Sequence, residues 1–370
     1  MKPEKTILTA GPSVSEKEIN YVLDAVKNGW NENWASYLKK FESSLSNYIG
    51  VKNSMATSSC TGAMFLALKA LGIKKGDEVL VPELTWVATA TVVVHTGAKP
   101  IFVDVDEKTW TMDPNKIEEK ITSKTKAIMP VHLYGHPSKM DQIMEIAKKY
   151  NLFIVEDAAP AIGAEFMGKK VGGFGDVGAF SFQGAKMLVT GEGGMVLTDN
   201  DTIFNRIQKL GDHGRSRDPQ TPFWIEEIGY KFKMTNLQAA FGLAQLERIN
   251  ELIDKKRKIF SWYYKRLRNI EGLELNKEAE WAKSIYWMTS IYLKKKWNIT
   301  RDELIVKLKE DMIDTRPCFP QISQYPMWPT AYSPVAKHIG DNGINLPSGH
   351  NLTEEQIDYI CNSIKKHLGI

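Results

Sequence analysis

The sequence predicts an α/β protein: a large domain built on a mostly parallel sheet covered on both faces, then a smaller α+β domain. Three observations carry this. Short runs rich in Val, Ile and Leu (EVLVPE, KPIFVDV, KTKAIMPVHLY, LFIVEDAAP) alternate with helical stretches such as TGAMFLALKALG and MDQIMEIAKKY. Near-continuous apolar strands separated by helices are the pattern of a sheet buried on both faces. With 43% hydrophobic and 25% charged residues, the 370-residue chain has the ordinary globular balance and is long enough for a large core. From about residue 250 the pattern changes to a strand (YWMTSIYL) and two helices (RDELIVKLKED, EEQIDYICNSIKKHL) around a Pro/Gly/Asn-rich stretch from Arg316 to Gly349.

The elements follow in order. KEINYVLDAVKNG and WASYLKKFESSLSNYIG read as amphipathic helices ending on Gly29 and Gly50. SMATS is a strand before the helix TGAMFLALKALG, and EVLVPE precedes a helix around WVATATVVVHTG. KPIFVDV, KTKAIMPVHLY and LFIVEDAAP are further strands, and after Pro160 GAFSF and MVLTD extend the same sheet. TNLQAAFGLAQLERINELIDKKRKIFSWYYKRLRN reads as one long helix into the C-terminal part. The expected division is residues 1–249 and 250–370, with the N-terminal helices in the first domain.

Several classes of function are excluded. Lys+Arg 48 against Asp+Glu 44 leaves only +4, mixed along the chain, which argues against nucleic acid or anionic membrane as a partner. Cys60, Cys318 and Cys361 are scattered, without the spacing of a disulfide framework or zinc site. No apolar run is long enough for a signal peptide or a transmembrane helix, so a cytoplasmic protein is expected. His132 and His136 in VHLYGH lack an accompanying Cys or carboxylate cluster, so no metal is expected.

Lys186, in SFQGAKMLVTGEGG, follows a strand and sits among apolar and small residues. A lone lysine is usually a solvated surface residue. At a strand end of an α/β sheet, however, partial desolvation lowers its pKa and frees its amine to attack a carbonyl. Pyridoxal phosphate is the cofactor that uses such an amine, and it makes further demands. Its ring nitrogen needs an anion, and Asp157 closes LFIVEDAAP at a strand terminus, while Glu156 should face the other way. Its phosphate needs amides and hydroxyls at a helix start, and TSSCTGAMFLALKAL offers Ser58, Ser59 and Thr61, with Gly62 permitting close approach; Ser181 adds a hydroxyl. Its ring needs a flat partner, and Trp86 follows EVLVPE. Each feature alone also fits plain capping or core packing; their order along the chain is more specific.

The strings TSSCTGAMFLALKALGIKKGDEVLVPELTWVATA, VEDAAPAIGAEFMGKKVGGFGDVGAFSFQGAKMLVTGEGGM and GYKFKMTNLQAAFGLAQLERI resemble the DegT/DnrJ/EryC1/StrS sugar aminotransferases, which have the fold of type I pyridoxal-phosphate enzymes. KAIMPVHLYGH, TGEGGM, IDTRPCF and NLP, in that order, are similar to the perosamine-synthase-like nucleotide-sugar 4-aminotransferases within that family. The resemblance implies that Lys186 bonds the cofactor, Asp157 meets the ring nitrogen, Trp86 stacks on the ring, and Thr61, Ser181 and the backbone near Cys60 and Gly62 hold the phosphate. It further implies a homodimer with shared active sites, in which the loop GYKFKMTN, carrying Lys231, reaches the partner's cofactor phosphate.

The implied reaction moves an amino group from L-glutamate, through pyridoxal and pyridoxamine phosphate, to a nucleotide-linked 4-keto-6-deoxy sugar for a surface polysaccharide such as capsule or lipopolysaccharide. Lys186, Arg316, His213 and Arg215 are the residues expected to meet substrate. Departures from the family pattern are Cys60 for Gly, Pro160 for a polar residue, Lys231 for Asn and Pro320 for His. The last change, with WNENW near the N-terminus, leaves a smaller phosphorylated ketone open as acceptor. A non-catalytic cofactor-binding sensor is the alternative from another class. A dehydratase is disfavoured, because relatives with that activity carry His at the position of Lys186.

Overall fold

Two amphipathic helices open the chain, α1 (Glu16–Asn28) and α2 (Ser36–Ile49). A capping box between Ser15 and Glu18 starts the first, and Gly50 ends the second in the left-handed conformation, at φ 86°. There follow β1 (Asn53–Thr57), α3 (Cys60–Ala70), β2 (Glu78–Pro82), α4 (Ala88–His95), β3 (Lys99–Val103), β4 (Thr125–Ile128), α5 (Met140–Tyr150) and β5 (Phe153–Asp157). A short hairpin, β6 (Glu165–Phe166) and β7 (Lys169–Lys170), precedes β8 (Val177–Ser181), β9 (Gly194–Thr198), α6 (Asp201–Gly211) and α7 (Asn236–Glu247). This computed structural model describes residues 3–216, 218–294 and 297–370.

Seven of these strands form one sheet in the order β1-β9-β8-β5-β4-β2-β3. Only β9 runs against its neighbours, pairing antiparallel with β1 and β8; the other pairings are parallel. Both faces are buried, and alternate residues divide between them. Val79, Val81, Met129 and Val155 pack with Met64 and Leu66 of α3, Val92 and Val93 of α4 and Ile207 of α6. Leu80, Ile128 and Ile154 pack with Met140, Ile143 and Ala147 of α5. The expected α/β fold with a mostly parallel seven-stranded sheet is therefore present.

The C-terminal part contains α8 (Ile249–Leu267), β10 (Leu273–Leu275), β11 (Ala282–Lys283), β12 (Ser290–Leu293), α9 (Arg301–Glu310), β13 (Arg316–Pro317), α10 (Pro334–Asn342), β14 (Gly343–Asn345) and α11 (Glu354–Leu368). An antiparallel sheet, β10-β12-β14-β13, carries a core of Ile259, Tyr263, Leu304, Ile357 and Ile360 from α8, α9 and α11. Ile7 joins this core from the N-terminal segment and bridges to Ile313. No helix among the described residues is long and apolar enough to cross a membrane.

One expectation needs correction. The long helix is broken at Arg248, with φ −105° and ψ 10°, into α7 and α8. The guanidinium bonds Glu18 on α1 at 2.8 Å, Ser13 at 2.9 Å and Glu251 at 2.7 Å, so contacts distant in sequence accompany the bend where no Pro or Gly marks it. The Pro/Gly/Asn-rich stretch from Arg316 to Gly349, to which the sequence assigned no elements, is partly regular. It holds β13, β14 and α10, the last with Pro334 in its first turn, where a missing N–H costs nothing.

Candidate active site

The strand ends place the candidate residues. After β1, Ser59 caps α3 by accepting the Gly62 N–H at 3.1 Å, which leaves the Cys60 and Thr61 amides of the first turn facing outward from the helix start. Asp157 is the last residue of β5, Ser181 the last of β8, and Trp86 precedes α4. Lys186 lies in the loop after β8, its N–H bonded to the Gln183 carbonyl at 2.8 Å. These ends converge on a cavity of about 440 Å³, lined among others by Cys60, Thr61, Trp86, Asp157, Ser181 and Lys186. Position and size suit a cofactor site at the carboxyl ends of an α/β sheet.

Asp157 is buried, and Thr89 Oγ1 donates to its Oδ2 at 2.7 Å while the Ala159 N–H donates to Oδ1 at 3.1 Å. Burial pushes its carboxyl up despite these bonds. Burial likewise pushes the Lys186 amine down, against the pull of Asp157 and Cys60. The Cys60 thiol is held well above its usual range by burial and by Asp157. The adjacent Glu156 faces the opposite way, as expected: His132 Nε2 lies 3.0 Å from its Oε2, and the Gly172, Phe174 and Gly175 amides donate to it. Burial opposes its ionisation, yet these bonds hold its pKa below the usual carboxylate range. His136 is committed as well, to the Pro137 carbonyl and the Ala279 N–H.

The other sequence-derived candidates lie elsewhere in this chain. Gly62 stands behind the cavity, its N–H taken by Ser59; a Cβ there would meet the Phe232 ring at 3.1 Å, so its smallness serves packing. Lys231 is exposed, pairing through its backbone with Asp212. His213 is exposed at φ 63°, Arg215 lies 4.6 Å over the Phe223 ring, and Arg316 is ion-paired with Asp314. None of these four lines the cavity.

Residue-by-residue reading missed Thr89, Gln183, Trp287 and Phe319, all of which line it. Thr89 had a signal, since it follows Trp86 by three residues at a helix start. Trp287 and Phe319 come from the C-terminal part, and no local pattern brings them here. A larger groove of about 630 Å³ lies between residues 106–115 and 274–281. Two of its acidic side chains are already engaged, Glu107 with Lys294 and Glu278 with Arg257, and it contains none of the candidates.

The donor set fits pyridoxal phosphate. Open helix-start amides and hydroxyls suit a phosphate, a buried carboxylate suits a ring nitrogen, and a half-exposed indole suits a flat ring. Residues 12–365 match the DegT/DnrJ/EryC1/StrS aminotransferase family. The chain belongs to this family. It is 44% identical over 357 residues to the GDP-perosamine synthase of Escherichia coli O157:H7, covering 96% of each chain. Streptococcus pneumoniae Spr1654 in its PLP-form superposes with a TM-score of 0.91 at 27% identity, covering 98% of this chain and 99% of that one. DesI, solved in the presence of its TDP-sugar product, gives a TM-score of 0.91 at 26% identity, covering 99% and 93%. Like its relatives in the family, the chain is a pyridoxal-phosphate-dependent aminotransferase.

Proposed function

We propose that this aminotransferase moves an amino group from L-glutamate to a nucleotide-linked 4-keto-6-deoxy sugar, for a surface polysaccharide. The observation that carries the site assignment is the meeting of Lys186, Asp157, Trp86 and the α3 start in one cavity. Lys186 would hold the cofactor through its aldehyde carbon, Asp157 its ring nitrogen, Trp86 one ring face, and Thr61, Ser181 and the Cys60 and Thr61 amides its phosphate. Bound there, the cofactor supplies an electron sink for the α-carbon of the amino donor. Thr89 and the Ala159 amide hold the Asp157 carboxylate that would meet that nitrogen. When the donor displaces it, the Lys186 amine would carry a proton from the donor α-carbon to the carbon that held the aldehyde, and with the acceptor it would run the same transfer in reverse, onto the acceptor carbon. Burial lowers its pKa toward what a base near neutral pH needs.

The acceptor assignment rests on relatives whose names specify a GDP-linked and a TDP-linked sugar. We read the active enzyme as a cytoplasmic homodimer with shared sites. Lys231 lies outside its own chain's cavity, and Phe223 and Ile228 on the neighbouring loop are 79% and 89% exposed, as suits residues awaiting a partner. His213, Arg215 and Arg316 would meet the sugar nucleotide from one subunit or the other. The two-domain division at residues 249 and 250 is supported by the separate core on the four-stranded sheet.

The test is spectroscopic. Purified yellow protein should lose its colour on adding L-glutamate and regain it with a GDP-linked 4-keto-6-deoxy sugar. Bleaching that no nucleotide-linked keto sugar reverses, but a small phosphorylated ketone does, would overturn the acceptor assignment. A protein that ignores glutamate would overturn the donor.

A further inference from the structure

Lys186 makes one contact that the reaction above leaves unused: its Nζ lies 4.0 Å from the centroid of the Trp287 indole ring. Trp287 is buried, and its Nε1–H donates to the carbonyl of Ala185, the residue before Lys186, at 2.7 Å. The indole is thus fixed to the same loop whose lysine rests on its face. Its backbone is tied down as well. Lys256, a buried residue of α8, donates from Nζ to the Trp287 carbonyl at 3.1 Å and to the Ser348 carbonyl at 2.5 Å. The resulting strut runs from α8 through Trp287 to the lysine loop.

Indole is the side-chain ring that best accepts a cation on its face, and the attraction grows where water is excluded. We propose that Trp287 is the resting place of the Lys186 amine while it is free and carries a proton, with Lys256 as the positioning residue that holds the ring. The inference rests on Lys186 being the cofactor lysine. In the proton step, the C–H bond of the donor α-carbon breaks and an N–H bond forms on Lys186. The electron pair would be drawn into the bound cofactor, and the new ammonium turns onto the indole until it delivers the proton to the carbon that held the cofactor's aldehyde. Trp287 therefore acts on the protonated amine alone. The charged or titratable groups facing that amine from other elements are Asp157 on β5 and Cys60 on α3; Glu192, on its own loop, also lines the cavity.

The full chain, stripped of cofactor, is labelled with an acetylating reagent at a series of pH values, and the Lys186 peptide is quantified by mass spectrometry. Site-specific tetrafluorotryptophan at position 287 keeps the ring's shape while removing its negative face. The labelling midpoint of Lys186 should move to lower pH, and Trp287→Phe, whose ring keeps a weaker negative face, should move it less. In the loaded enzyme, the fluorinated form should lose roughly tenfold in kcat for the glutamate half-reaction with KM unchanged, and Lys256→Met should show the same split. An unmoved midpoint in the fluorinated protein overturns the proposal, and so does a midpoint that shifts as far with Trp287→Phe. Borohydride trapping of wild type tests the Lys186 assignment separately: cofactor fixed on another lysine would sink that reading, whatever Trp287 does.

Discussion

Asp157 and Lys186 are each pushed toward neutrality by burial, the acid upward and the amine downward, while each draws the other back toward charge. Changing either therefore disturbs chemistry more than folding. Lys186→Ala should lower turnover by a factor on the order of 10⁴, the upper range for a general acid–base group, with the melting temperature near wild type. A steady-state assay with glutamate checks it, and substantial activity would show that another amine does the work. Asp157→Asn should leave the protein folded and slow the glutamate half-reaction at least about 100-fold, since the neutral amide no longer favours a protonated ring nitrogen. Stopped-flow rates equal to wild type would reduce Asp157 to a structural partner of Thr89. Both residues were legible because a strand end and the loop that follows one are local features. Thr89, which orients one of them, lies in the same short string as Trp86 yet needed the folded contact to be noticed.

At the scale of elements, the start of α3 depends on a strand far along the chain. Gly194 at the head of β9 lies so close that a Cβ there would sit 2.5 Å from the Cys60 nitrogen. Gly194→Ala should cost about 1–3 kcal/mol of stability and weaken cofactor binding at least tenfold, by moving the amides that we propose hold the phosphate. Denaturant melts and a cofactor titration would show whether the two losses travel together. The bend between α7 and α8 gives a second test. Burial raises the pKa of Glu18, but its bonds to Ser15 and Arg248 prevail and bring it to about 2. A depressed carboxylate adds stability that is present above its unfolded pKa of about 4.3 and lost as pH falls toward 2. Glu18→Gln should cost roughly 2 kcal/mol at pH 7 and much less near pH 2; equal costs at both would refute the charge argument. The strands, most helices and their layering were legible because periodicity is local. The Arg248 bend and the α10 helix were not, because one depends on partners more than 200 residues away and the other was masked by loop-like composition.

At the scale of the whole molecule, the shared-site reading makes a prediction that neither residue nor element can. Lys186→Ala and Lys231→Ala subunits, each impaired alone under limiting cofactor, should regain part of the wild-type rate when mixed and allowed to exchange. A hybrid dimer then has one site with both lysines intact. No recovery, with hybrids confirmed by mass, would place Lys231 outside the site altogether.

The reversed strand β9 has a consequence for how the molecule is made. β1 finds its strand partner in residues 194–198, and the α3 start that follows it is closed over by Gly194. On a ribosome, a chain growing from its N-terminus cannot complete that pocket floor until more than half of the polypeptide has emerged. Trp287 and Phe319 arrive later still. Capture of the cofactor is therefore a late event in synthesis, and a nascent chain stalled before β9 should have the apolar strands of the enzyme but no place to keep its coenzyme.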